Sequence, residues 1–398
     1  MMLAGRPLVA AMCIGQVGNL LPHVVVPAVM AQYLIPEWNL SASEAGLMAA
    51  CFAIGYALAV PVLTVLTDRI DARLILFAGS LVSGLATFAF GLLAHNLSSA
   101  MTIWALAGIG FAGAYMPGLK ALTDRLAGEL SRSVTVYTAS FSLGVGLSFL
   151  VAQIAAHQLG WRWAFYLTAL GPLAMIAPCL LMAPAYPVRS ERRLFDFAPV
   201  FRNRAALGYI FGYGAHCFEL YALRTWIVAF WAYVTSQNGG SAPLTPITVS
   251  VIAAVLAMPS SVLGNEAAIR FGRQRAIVTF MCIAGLIAAL LGIAVGASPA
   301  FLLGLLLVYS IAIPADSGAL TSGMTISADP AYRGATMALH SAVGFGLSAV
   351  GGWAVGVALD AGGGLDSATG WLIAFLVMAV GGLLGPLALW WSRTTRPT

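Results

Sequence analysis

Apolar residues run along this chain in long unbroken blocks, separated by short clusters of charge, proline and glycine. A helix that crosses a membrane needs about 20 such residues. Blocks of that length occur at 7–32, 44–66, 74–94, 98–119, 133–157, 163–183, 205–234, 246–268, 276–297, 299–323, 334–359 and 368–391. Barrel strands would alternate apolar and polar positions over roughly ten residues, and these blocks do not alternate. The pattern predicts an all-α integral membrane protein with twelve transmembrane helices. The first block follows Arg6 but is too long for the apolar part of a signal peptide and lacks a cleavage site, so it is read as the first span.

Composition agrees. Of the 398 residues, 60% are hydrophobic and 8% charged, against roughly 25% charged in soluble domains. The net charge of +5 does not indicate nucleic acid, because the basic residues lie in short loops between apolar blocks. All 19 Lys and Arg residues except Arg162 and Arg224 fall on one side when both termini are placed in the cytoplasm. The positive-inside rule favours that topology. Cys13, Cys51, Cys179, Cys217 and Cys282 sit inside apolar blocks without metal-binding spacing and read as packing. No cofactor or metal is expected.

The longest polar stretch, from Ala183 to Asn203, divides the chain into an N-terminal bundle (1–183), a cytoplasmic linker (184–204) and a C-terminal bundle (205–398). The halves echo each other about 200 residues apart. Ala121-Leu122-Thr123 answers Ala319-Leu320-Thr321, Arg132 answers Arg333, and Gly146-Leu147-Ser148 answers Gly346-Leu347-Ser348. Such parallel repeats predict two pseudo-symmetric six-helix bundles with the solute between them.

After the second span the chain reads Thr64-Val65-Leu66-Thr67-Asp68-Arg69-Ile70-Asp71-Ala72-Arg73. This resembles the G-x-x-x-D-R-x-G-R-[RK] loop of the major facilitator superfamily at Asp68, Arg69 and Arg73, and departs from it at Thr64, Asp71 and Ala72. Arg270-Phe271-Gly272-Arg273-Gln274-Arg275 repeats the glycine and basic tail in the second half, with Ile269 at the acidic position. Trp161-Arg162-Trp163-Ala164-Phe165 is also similar to the family. The resemblance covers essentially the whole chain and implies the family's twelve-helix fold and a secondary transporter. It assigns the cytoplasmic gate to Asp68, with Arg69, Arg73, Arg270 and Arg273. Trp104 stands near the position of the family's fourth-helix arginine, and Phe141-Ser142-Leu143-Gly144-Val145-Gly146 lacks the proline of the antiporter signature. Both departures lean against drug/proton antiport.

Ionisable residues inside spans are costly and usually face a partner or a wet cavity. Glu219 and Arg224 lie on the seventh span and Asp316 on the tenth, both among the helices that line the family's cavity. At 100° per residue, His216, Glu219 and Arg224 share an arc of roughly 140°. Tyr213 lies one turn before His216. The anticipated chemistry is that Arg224 holds an anionic group while Glu219, or Asp316 in its place, carries a coupled proton. A structural Glu219–Arg224 or Glu219–His216 pair is the competing reading. Gln16, Asn19 and His23 add polar groups to roughly one side of the first span, where Pro22 and Pro27 bend the helix. Tyr115, Tyr137 and Tyr309 are candidate cavity linings that as lone aromatics read more readily as packing, and His340 reads as structural.

The expected partners are a small-molecule solute, protons and the lipid bilayer. The style of the chain suits a bacterial inner membrane. Proton-linked efflux of a hydrophobic or cationic drug is the alternative, and a receptor without transport a distant one. No HExxH, Ser–His or phosphate-loop motif points to an enzyme.

Overall fold

The computed structural model describes residues 2–126, 130–185 and 196–393. The described residues contain helices and turns and no strand. The helices are α1 (Gly5–Asn19), α2 (Ala42–Leu66), α3 (Ala72–Leu93), α4 (Leu97–Thr123), α5 (Leu130–Leu159), α6 (Trp161–Ala169), α7 (Arg204–Gln237), α8 (Pro246–Phe271), α9 (Arg273–Ile293), α10 (Pro299–Ala312), α11 (Arg333–Ala361) and α12 (Ala368–Trp391). Shorter pieces continue three of them: Val25–Val29 after α1, Ile176–Leu181 after α6, and Ser317–Ser327 after α10. Among the described residues ten helical stretches are long and apolar enough to cross a membrane. The first predicted block, 7–32, is broken into pieces and is not one of them, and α7 carries His216, Glu219 and Arg224 in its middle. Residues 186–195 of the anticipated linker lie outside the described residues.

The apolar side chains divide by what they touch. Leu58, Ile293 and Leu180 are about 70% exposed, which in water would be a liability and here marks surfaces for lipid. Inward faces pack closely, with Gly108 of α4 set against the backbone of Phe52, where any side chain would collide.

By their contacts the residues form two units. Unit 1 comprises 1–38 and 51–195, and unit 2 comprises 39–50 and 196–398. In unit 1 the chain turns at Leu20–Val24 under the influence of Pro22. The backbone groups freed there are taken by one side chain of α5: Ser148 Oγ accepts from Val24 N (3.2 Å) and donates to Leu21 O (2.6 Å). Inside a bilayer such groups must find a protein partner. Unit 2 repeats the device. Pro314 tightens the chain into a 3₁₀ turn, Ile313–Asp316, and Ser260 of α8 donates to the freed carbonyl of Ile311.

Candidate functional site

The polar residues of unit 2 converge from α7, α10 and its continuation, and α11. Glu219 is 2% exposed, and its Oε1 accepts from the phenol of Tyr309 at 2.8 Å. Its other oxygen rests on Gly382 of α12, where a methyl group would overlap it. His216 Nδ1 lies 2.6 Å from Asp316 Oδ1, with both side chains 2% exposed. The Tyr213 ring stacks with His216 at 5.6 Å between centroids and with His340 at 3.9 Å. His340 Nε2 in turn lies 3.5 Å from Thr321 Oγ1.

Arg224 stands apart. It is 8% exposed and its guanidinium lies 5.2 Å from the centre of the Tyr221 ring. Among the described residues it forms no ion pair. Neither structural pair the sequence allowed is present: Glu219 turns to Tyr309 and His216 to Asp316. Tyr309, read as packing, is therefore a polar partner. Its signal was the spacing of seven residues to Asp316, two helical turns, which puts both on one side. His340 offered no comparable signal as a lone histidine in an apolar run.

Unit 1 brings Gln16 and Asn19 inside. Gln16 Oε1 accepts from Tyr137 at 2.9 Å. Asn19 is 1% exposed, and neither of its amide atoms has a hydrogen-bond partner among the described residues. His23 is enclosed by Phe52, Phe111 and Phe141 at 5.2–5.4 Å. Trp104 is fully buried beside Phe52, Phe90 and Phe165.

At the anticipated gate the carboxylate with partners is Asp71. It caps α3 by accepting from Arg73 N (3.0 Å), receives Arg125 Nη2 on both oxygens (2.7 and 2.8 Å), and accepts from Ala185 N (2.9 Å). Arg125 Nε and Arg73 Nη1 hold the carbonyls of Ala183 and Met182. These donors hold the Asp71 carboxyl below the usual carboxylate range despite its partial desolvation. Asp71 sits at φ −51°, so no glycine conformation is needed there, whereas Gly272 in the matching loop of unit 2 has φ +97°. Asp68 and Arg69 are exposed and form no ion pair among the described residues. Partial desolvation pushes the Asp68 carboxyl up, with Lys120 opposing and Asp124 adding to the shift. Arg270 is exposed against Phe271, and Arg273 is half-buried.

The Major Facilitator Superfamily model matches residues 12–352. The chain belongs to that superfamily. It is thus a multi-pass membrane transporter, not an enzyme. Among curated proteins it is 28% identical to the quinolone resistance protein NorA of Staphylococcus aureus strain MRSA252 over 219 residues, 51% of this chain and 54% of that protein. NorA of strain N315 matches over 40% of each chain, also at 28% identity. The chain therefore spans about half or less of the length of these relatives. Among solved structures, a bacterial homologue of the human lysosomal transporter Spinster, inward-facing and occupied, superposes with a TM-score of 0.76 at 18% identity, covering 96% of each chain. The nucleoside transporter NupG gives 0.76 at 14% identity, covering 97% of this chain and 100% of its own. The peptide transporter POT with alafosfalin gives 0.75 at 13%, covering 96% and 93%. At these identities the structures show the shared fold.

Proposed function

We propose that this chain is a proton-coupled carrier of a small organic anion, working by alternating access in a bacterial inner membrane with both termini cytoplasmic. The observation that supports this is the state of Arg224. A cation at mid-helix in a bilayer costs about 2.5–3.5 kcal/mol on insertion scales, and arginine does not escape by losing its proton. Glu219 and Asp316 are engaged elsewhere, so no acid of unit 2 pairs with it among the described residues. A carboxylate solute supplies the missing charge, in the two-pronged geometry a guanidinium favours.

Coupling to a proton follows from the membrane potential. Moving one negative charge inward against a potential negative inside costs about 2.3 kcal/mol per 100 mV. A proton travelling with the anion cancels that cost. Buried carboxylates able to take part are Glu219 and Asp316. Within unit 1, Asn19 is a candidate hydrogen-bonding contact for solute.

The test is reconstitution in liposomes with an internal pH dye, adding small organic anions or lipophilic cations to wild type, Arg224→Ala, Glu219→Gln and Asp316→Asn. Anion-driven proton entry that disappears in Arg224→Ala supports the reading. A second reading, proton-linked export of a hydrophobic or cationic drug, is favoured by the partial similarity to the quinolone resistance proteins. Proton movement driven only by cations and indifferent to Arg224 establishes that reading in place of the first. Binding without any flux points to a receptor.

A further inference from the structure

The two buried carboxylates of unit 2 keep different company. Glu219 is partnered by a phenol, which stays neutral at ordinary pH. Asp316 is partnered by an imidazole, the side chain suited to gaining and losing a proton near neutrality. With Nδ1 and Oδ1 only 2.6 Å apart and both side chains 2% exposed, one proton switches the net charge of this pair between minus one and zero. An isolated buried charge is far more costly than a matched pair in the same place.

The imidazole is also held in position by a closed circuit of contacts. Asp316 meets His216, His216 stacks on Tyr213, Tyr213 stacks on His340, and His340 reaches Thr321. Thr321 lies on Ser317–Ser327, the helix that begins directly after Asp316. Two planes near 20° to the Tyr213 ring, 22° for His216 and 20° for His340, place an aromatic face beside the site of positive charge, an attractive arrangement.

We propose that the His216–Asp316 pair is the site that takes up the coupled proton, and that Tyr213 and His340 are positioning residues that hold the imidazole on the carboxylate. This rests on the proton-coupled reading above and gives Glu219 a structural role, seated between Tyr309 and Gly382. In the unloaded state the neutral imidazole of His216 keeps its proton on Nδ1, facing the Asp316 carboxylate; in the loading step a proton from water bonds to the lone pair of Nε2, and the imidazolium stays paired with Asp316 Oδ1. In the unloading step it returns to water, and no other bond changes. Near His216 on α7 the ionisable groups are Tyr209, Tyr213, Cys217, Glu219, Tyr221 and Arg224, with Arg204 and Tyr233 towards its ends, and Glu219 repels Asp316 as a like charge. Tyr309 lies on α10, and α11 carries His340 with Arg333 and Asp360 at its ends. Helix α8 carries Glu266 and Arg270 in its last turns, α9 carries Arg273 and Arg275 in its first turn and an exposed Cys282, and α12 carries none.

The chain has 5 histidines, so histidine-selective isotope labelling of the full-length protein in lipid nanodiscs gives few enough imidazole signals to follow by NMR against pH, with no solute present. The His216 signal is identified by its loss in His216→Gln. Asp316→Asn is expected to move its midpoint by about one pH unit or more, tenfold in proton affinity. His340→Ala is expected to move it too, and His340→Phe, which keeps a ring against Tyr213, to restore it. In proteoliposomes, with benzoate as the probe, Asp316→Asn should lower pH-driven accumulation relative to benzoate exchange by about tenfold. A His216 midpoint unmoved by Asp316→Asn, or accumulation lost in Glu219→Gln but intact in Asp316→Asn, overturns the assignment. A wild type that neither accumulates nor exchanges any anion sinks the anion reading, while the histidine titration still decides the fate of the pair.

Discussion

The two units place their charges differently. Unit 1 keeps its ion pairs at the rim, where Asp71, Arg73 and Arg125 gather the loop after α2, the end of α4 and the chain after α6. Its deep polar groups are neutral amides and a histidine ringed by phenylalanines. Unit 2 carries Glu219, Asp316 and Arg224 inside its spans. A rim network is readily explained by stability, since its members need only find each other beside water. Charges at depth are costly enough that stability alone rarely accounts for them, and the one without a partner accounts for itself least.

The sharpest test of that contrast sets two arginines side by side. Arg224→Ala is expected to reduce anion uptake in liposomes by about a hundredfold, the order lost when a two-pronged charged contact disappears. Its thermal stability in detergent should be unchanged or higher, because an unpaired buried cation has been removed. Arg125→Ala should show the opposite profile. It strands Asp71, whose side chain is 11% exposed, and should cost about 1.5–3 kcal/mol of stability, the range for hydrogen bonds to charged groups. If Arg224→Ala unfolds the protein instead, the contrast between the units fails.

Next comes pH. The Asp71 carboxyl is held low in the folded protein, so its stabilising contribution is fully present above the ordinary aspartate value of about 3.9. It disappears as pH falls through the depressed folded value. The stability gap between wild type and Asp71→Asn, followed by thermal melting, should therefore be constant from neutral pH down to about 5 and close in stronger acid. A gap that closes between pH 8 and 6 would mean another group controls the clasp.

A smaller effect is expected at Gly382. An added methyl overlaps the Glu219 carboxylate, and overpacking of this kind costs about 1–3 kcal/mol. Combining Gly382→Ala with Glu219→Ala should recover part of the loss, because the second change removes what the first collides with. Additive losses in the double variant would show that the carboxylate is not seated there.

Much of this was legible in the sequence because the bilayer enforces simple rules. Span length, uninterrupted apolar blocks and the bias of Arg and Lys were enough for an all-α membrane fold, and the Asp68–Arg73 loop for the family. The placement of Glu219, Arg224 and Asp316 inside apolar blocks was plain as well. Their partners were not, because helical periodicity says which side of its own helix a residue occupies, not which neighbour it meets. Glu219 and Arg224 share an arc yet point to different partners, and Tyr309, whose spacing to Asp316 was the only hint, read as packing. At the rim of unit 1, the family's pattern drew attention to Asp68, while the hub is Asp71, at the position where the pattern has glycine. A motif records what a family shares. Asp71 makes its network with Arg125 and Ala185, 54 and 114 residues away.

The smallest predicted effect separates local from long-range capping. Asp360, near the end of α11, accepts from the backbone of Ala42 and Ser43 at 2.8 Å each, in the first turn of α2 and within unit 2. That turn already has its own cap: Ser41 N donates to Glu44 Oε2 at 2.9 Å, and Glu44 N donates to Ser41 Oγ at 3.2 Å. Such a reciprocal box satisfies end groups without help from elsewhere. Asp71 likewise caps a helix, but with a guanidinium on both oxygens. Asp360→Ala should therefore cost about 0.5–1 kcal/mol, the lower part of the range for a lost cap, and Asp360→Asn less. Thermal melting of Asp360→Ala, Ser41→Ala and the double variant checks this. If the double variant loses far more than the sum of the singles, the caps substitute for one another. If Asp360→Ala alone matches Arg125→Ala, the contact is a tertiary tie as strong as the clasp in unit 1, and the rims of the two units are more alike than their interiors.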